Sequence, residues 1–168
     1  MKSLWSVPRG AQRMTRHFLM AGAVFIGLVT SGLARAQGNP FAGTWKLNSA
    51  KSHFDPGPPP TSQTRTWESS GKVFVAGINA AGKPTTHRFT IKPDGKDYPS
   101  IGATDEGETV STKRIDARTV EATFQRGGVA LEKARYSVSK DGKVLTLVAK
   151  SASANTRSFH NVEVSDRQ

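Results

Sequence analysis

Thr119-Val120-Glu121-Ala122-Thr123-Phe124-Gln125 is the stretch whose reading decides the fold. Val120, Ala122 and Phe124 fall on one side of it, and Thr119, Glu121, Thr123 and Gln125 on the other. Successive side chains of an extended chain point to opposite faces, so period two over this length marks a half-buried strand. Residues 85–91 repeat the pattern, with His87, Phe89 and Ile91 opposite Thr86, Arg88 and Thr90. Working outward, turn signals interrupt the chain at Ser70-Gly71, Ala80-Ala81-Gly82, Pro93-Asp94-Gly95, Asp105-Glu106-Gly107, Asp116-Ala117, Arg126-Gly127-Gly128, Asp141-Gly142 and Ser153-Ala154-Asn155. Their spacing of about 10 to 14 residues, with Val, Thr, Phe and Ile between them, belongs to an all-β sandwich or barrel.

The pattern predicts strands over 43–48, 63–69, 72–78, 84–91, 97–101, 107–115, 118–125, 129–139, 143–150 and 156–164. Every connection after residue 63 is short, which makes consecutive strands antiparallel neighbours. An open meander of this size would expose two long edges. Closing it removes both, so the expected fold is all-β, an antiparallel up-and-down meander closed into a barrel of eight to ten strands. A Greek-key sandwich would need a long late crossover, and none is present. The longest irregular connection is 49–62. Pro56, Gly57, Pro58, Pro59 and Pro60 favour an extended arm there, and Asn48 is placed to cap one helical turn through Lys51. That arm reads equally as a lid and as a strap over one barrel end.

The N-terminus has a different character. Lys2, Arg9, Arg13 and Arg16 precede an apolar run over 18–33, and Ala34-Arg35-Ala36 follows it. Basic, apolar, then small-x-small is the layout of a secretory signal peptide, and 16 residues is short against the roughly 20 that span a membrane. The expected organisation is a cleaved signal over 1–36 and one domain over 37–168, periplasmic or secreted, with no stable membrane anchor. Removing Lys2, Arg9, Arg13, Arg16 and Arg35 takes the 24 basic residues to 19 against 13 acids, a formal charge of +6. With 132 residues the domain is long enough to bury a core, and it has no Cys for disulfide support. The basic residues are spread along the chain without a run of four, so a nucleic-acid platform is not expected. A monomer is expected.

Gly43-Thr44-Trp45-Lys46-Leu47 resembles the Gly-x-Trp opening shared by lipocalins and fatty-acid-binding proteins, and residues 113–121, KRIDARTVE, resemble a hairpin of the latter. The span 39–168 is similar to a family of exported bacterial lipocalin-like proteins of no established activity. The similarity rests on Asn39-Pro40-Phe41, residues 43–48, Pro56-Gly57-Pro58, residues 94–99 and residues 138–143. The resemblance implies a calycin-type barrel with Trp45 at its closed end and a late arginine packed across it, for which Arg157 is the positional candidate. Fatty-acid-binding proteins carry a two-helix lid after the first strand, where this chain has its proline-rich arm. Their Arg-x-Tyr carboxylate clamp appears only as Arg157-Ser158-Phe159, without the phenol hydroxyl.

No catalytic residues, metal site or cofactor are expected from the sequence, and the reading is non-enzymatic. His53, His87 and His160 are far apart in the chain, His53-Phe54-Asp55 lacks a third ligand, and neither a Gly-x-Ser-x-Gly elbow nor a Cys nucleophile is present. Asp105, Glu106 and Glu108 read as solvated charge at a turn. The alternating faces are more informative. Arg65 is in phase with Trp67, His87 with Phe89, Arg114 with Val110, and Arg135 with Val129 and Leu131. In-phase acids are scarce on these segments, and a buried lone charge costs several kcal/mol.

The expected ligand site is therefore Arg65, Trp67, His87, Phe89, Arg114 and Arg135 around a lumen that holds a small amphipathic anion such as a fatty acid. The competing geometry is that bulges shift the phase and turn these arginines outward. The competing function is an envelope interaction module with a filled core and a basic surface.

Overall fold

The computed structural model describes residues 38–102, 107–153 and 157–168. The signal peptide expected over 1–36, and the turn residues Asp105, Glu106, Ala154 and Asn155, lie outside them. The described residues form twelve strands: β1 (Gly43–Leu47), β2 (His53–Asp55), β3 (Ser62–Trp67), β4 (Lys72–Ile78), β5 (Pro84–Thr90), β6 (Tyr98–Pro99), β7 (Ile101–Gly102), β8 (Glu108–Asp116), β9 (Thr119–Arg126), β10 (Val129–Val138), β11 (Val144–Ser151) and β12 (His160–Arg167). One 3-10 turn, Ser49–Lys51, follows β1, with the Asn48 side chain accepting from the Lys51 amide at its start.

All pairings are antiparallel, and the strands run in the order β6-β8-β9-β10-β11-β12-β1-β3-β4-β5-β7. The two ends of that path are adjacent in sequence. Tyr98–Pro99 pairs with β8 and Ile101–Gly102 pairs with β5, so one short segment with Ser100 at its middle brings the sheet nearly to closure as a barrel. The expected meander is thus present, with corrections at its margins. The strand expected over 97–101 is divided at Ser100, the last strand is β12 at 160–167 instead of 156–164, and the proline arm contributes β2, which pairs with the start of β12.

A single core runs through the barrel, and its large aromatic residues plug one end. Phe41 stacks on Trp67 with ring centroids 4.7 Å apart, and Trp67 meets Tyr136 edge-on at 5.4 Å. Trp45 is fully buried and donates its indole N–H to the Phe41 carbonyl at 2.7 Å. The guanidinium of Arg167, not that of the exposed Arg157, lies over the Trp45 ring at 4.1 Å. Arg167 also donates to three backbone carbonyls, from Nε to Gly142 (2.6 Å), from Nη1 to Ala42 (2.6 Å) and from Nη2 to Pro40 (2.7 Å). It ties the last strand to the N-terminal segment and the 139–142 turn. Gly43 is explained by the same contact. Its φ of +137° disfavours an L side chain, and a Cβ there would collide with Arg167 Nη1. The Gly-x-Trp opening and the C-terminal arginine form one physical unit.

Register at this end sets the faces of the whole barrel. Trp45 pairs with Arg167 across β1 and β12, and with Arg65 across β1 and β3. Because strand periodicity is two, placing Arg167 inward also turns Ser165, Glu163 and Asn161 inward. Val162 and Val164 then face outward, against the usual apolar-in pattern.

Candidate functional site

Away from the aromatic plug, the lumen keeps a cavity of about 210 Å³. Its apolar wall comes from β4, β5, β9 and β11: Val75, Phe89, Phe124, Leu147 and Ala149. Phe89 and Phe124 meet edge-on at 5.3 Å, with the His87 ring beside both at 4.8 and 5.8 Å. These positions follow directly from the alternation of β5 and β9. The polar wall comes from β3, β10 and β12: Gln63, Arg65, Glu132, Asn161 and Glu163, with Tyr136 between the two walls.

Arg65 is the central polar group. Only 4 % of its surface is exposed. Its Nη2 pairs with Glu163 Oε2 at 3.3 Å, and its guanidinium lies 5.6 Å from the Tyr136 ring centroid. Gln63 Nε2 donates to the same Glu163 oxygen at 2.9 Å. Nε and Nη1 of Arg65 are buried without a hydrogen-bond partner. Buried donors of a charged group are seldom left unmade, because the desolvation cost of each is then uncompensated. Burial also pushes the Tyr136 phenol well above its ordinary range, so it stays protonated at any physiological pH.

A second polar chain enters from the seam of the barrel. Ser100 is buried, donates to Glu108 Oε1 at 3.0 Å and lies 2.7 Å from His87 Nε2. Since the serine proton is committed to the carboxylate, His87 Nε2 must carry the hydrogen it shares with Ser100. Glu108 Oε2 in turn lies 3.7 Å from Arg126 Nη2. This chain of hydrogen bonds holds the closing segment and orients His87. Among the described residues, no three His, Asp or Glu side chains gather in a metal-binding arrangement.

Of the six residues expected at the site, Arg65, His87 and Phe89 line the cavity. Trp67 faces inward but belongs to the plug below it, with its indole N–H buried and unpartnered. Arg114 and Arg135 do not converge on the lumen. Arg114 keeps the phase of Val110 but extends past the core at the closed end, where it is exposed beside Arg118, Lys92 and Lys140 in a groove of about 670 Å³. A register shift between Arg114 and Asp116 ends the regular alternation there. Arg135 faces outward and pairs with Glu121, Nε to Oε1 at 3.0 Å. Its expected partners in phase, Val129 and Leu131, are separated from it by a register shift between Ala130 and Glu132, and the inner face of β10 is Ala134, Tyr136 and Val138.

Two acids line the cavity nonetheless: Glu132, which the corrected phase of β10 turns inward, and Glu163 on β12, a segment outside those on which in-phase acids were expected to be scarce. The apolar residues at 136 and 138 were a visible signal for the β10 phase. For β12 the local signal pointed the wrong way.

The fold and site together define a small antiparallel barrel with a half-apolar, half-polar internal cavity. Neither protein-family models nor curated proteins match this chain.

Proposed function

We propose that this protein is a lipocalin-like small-ligand-binding barrel, acting without catalysis outside the cytoplasm, and that its ligand is a compact amphipathic molecule held in the lumen. One observation carries the reading. A nine-tenths-buried arginine, paired with Glu163, lines a cavity whose opposite wall is aromatic. Small-molecule sites set a few fixed polar groups against apolar wall, and here Gln63, Arg65 and Glu163 stand across from Phe89 and Phe124, in a lining more polar than most. The inverted β12 supports it, because local rules fail in natural proteins chiefly where function requires it. A cavity of roughly 150 Å³ holds benzene, so about 210 Å³ has room for a single ring with a polar substituent.

The test is calorimetric titration of residues 37–168 with single-ring compounds: benzoate, benzamide, 2-pyridone and benzyl alcohol. Saturable one-site binding is expected for at least one of them. It should be abolished by Ala149→Phe, which fills the lumen, while circular dichroism stays that of a β protein. Absence of binding across the panel overturns the reading. The groove at the closed end, with Arg114, Arg118, Lys92 and Lys140 around Asp141, favours the second reading, an interaction module for an acidic partner in the envelope.

A further inference from the structure

The surface groove at the closed end is lined by five basic residues, Lys92, Arg114, Arg118, Lys140 and Arg167, and by one acid, Asp141. Arg167 is committed to the fold through its bonds to Pro40, Ala42 and Gly142. The other four are exposed, and among the described residues none of their side chains forms an ion pair or a hydrogen bond. Lys92 rests over the Tyr98 ring, 5.5 Å from its centroid. The nearby acids serve the turns themselves. Asp141 accepts from the Ser139 hydroxyl at 2.6 Å and the Lys143 amide at 3.1 Å, and Asp116 accepts from the Arg118 amide at 2.7 Å. Asp116 also feels the charge of Arg118. Four exposed bases against these two acids leave the groove positive.

Its walls are fixed to one another before any ligand arrives. The Ile91 amide donates to the Gly71 carbonyl at 2.8 Å, and the Val138 amide donates to the Arg118 carbonyl at 2.9 Å. Arg167 ties residue 40 to residue 142. A ligand therefore meets bases whose backbones are already in place, and less order is lost on binding.

The bases come from separate places in the chain: Lys92 after β5, Arg114 and Arg118 at the β8–β9 hairpin, and Lys140 between β10 and β11. An anion with oxygens in several directions suits such a set. Phosphate has that shape, and arginine grips it through paired N–H groups. A carboxylate offers only two oxygens in one plane. An extended acidic peptide is held best along an open strand edge, whereas this groove is built from turns. No aromatic side chain lines it, so a mostly apolar ligand finds little to hold.

We propose that the closed end binds a phosphate-bearing anion, received by Arg114 and Arg118 at one hairpin and by Lys92 and Lys140 from two other turns. The proposal rests on the acidic-partner reading above, narrows it to phosphate chemistry, and is independent of the lumen.

The test is isothermal titration at pH 7 of protein purified from cells expressing the full chain. Inorganic pyrophosphate is compared with citrate, which carries a similar charge on carboxylates. An ionic strength of about 0.1 M screens charges more than about 10 Å apart. Saturable pyrophosphate binding is expected, at least about fivefold tighter than that of citrate. The double variant Arg114→Gln, Arg118→Gln should weaken it by about fivefold or more, since each exposed contact contributes modestly. The double variant Lys133→Gln, Lys150→Gln removes as much charge from a cross-strand pair elsewhere on the barrel and should change it by less than about twofold. Vesicles of phosphatidylcholine and phosphatidic acid identify the source of the phosphate. Sedimentation with them that the arginine variant loses marks a lipid headgroup, and pyrophosphate binding without it marks a soluble phosphoester. Either supports the site. Absence of saturable pyrophosphate binding, citrate binding as tightly, or equal losses in the two double variants overturns the proposal. Poly-glutamate binding through the same arginines would then leave an acidic protein partner standing, and failure of all three anions overturns the acidic-partner reading as well.

Discussion

Replacing Arg167 tests the account of the closed end most directly, because a single side chain there joins the last strand, the N-terminal segment and the 139–142 turn. In Arg167→Ala three bonds of 2.6, 2.6 and 2.7 Å to backbone carbonyls vanish, together with the contact at 4.1 Å with the Trp45 ring. Hydrogen bonds to charged groups contribute about 1.5 to 3 kcal/mol each, and an aromatic-cation contact about 0.5 to 1 kcal/mol when partly exposed. Simple addition gives at least about 5 kcal/mol. Water reaches the vacated carbonyls at this half-buried end, so the loss expected is nearer to about 3 kcal/mol. For a domain of this length that is a fall in Tm of about 10 °C. Arg167→Lys should lose nearly as much, because an ammonium is a compact point charge that cannot serve three diverging carbonyls as a planar guanidinium does. Urea unfolding followed by the fluorescence of Trp45 and Trp67 measures both variants. A loss under about 1 kcal/mol in both refutes the argument, and would mean that packing around Trp45 alone closes the barrel.

Three further outcomes follow from the same geometry. Trp45→Ala should destabilise the domain by about 3 to 5 kcal/mol, as large aromatic truncations in cores do, and a urea-derived loss below one kcal/mol would contradict its full burial. Burial raises the Tyr136 phenol above its free value near 10, so above that pH the unfolded chain releases a proton that the folded chain retains. Stability should therefore fall as pH rises past about 10, and Tyr136→Phe should flatten that limb in urea midpoints. An unchanged slope would remove Tyr136 as its source. Arg135→Ala should change stability by less than about 1 kcal/mol, because its pair with Glu121 is solvent-exposed. It should leave ring-compound binding unaltered, and a lost titration signal would place Arg135 at the lumen after all.

The expectations failed where a residue's face depended on something beyond its own segment. Residues 85–91 and 119–125 were legible because both alternate cleanly, and they placed His87 and Phe89 on the cavity wall. β10 was misread through its N-terminal half. Val129 and Leu131 suggested one phase, and the register shift between Ala130 and Glu132 imposed the other on Arg135. Arg114 had the right phase, but phase does not tell how far along the barrel the apolar filling extends. The principal acid of the site, Glu163, was missed because β12 carries its valines outward.

By itself the sequence determined that the chain forms short antiparallel strands and that Arg65 shares a face with Trp67. Those are local properties, written in period-two patterning and turn chemistry within single segments. Tertiary structure alone decided which late arginine covers Trp45, which way β12 faces and whether the charge of Arg65 has a partner. Arg167 reaches Pro40 and Ala42 across more than a hundred residues, and its cross-strand pairing with Trp45 sets the register of β12. A one-residue slip would turn Glu163 to solvent and leave Arg65 alone in the lumen, so the contact that closes the barrel also sets the charge inside it.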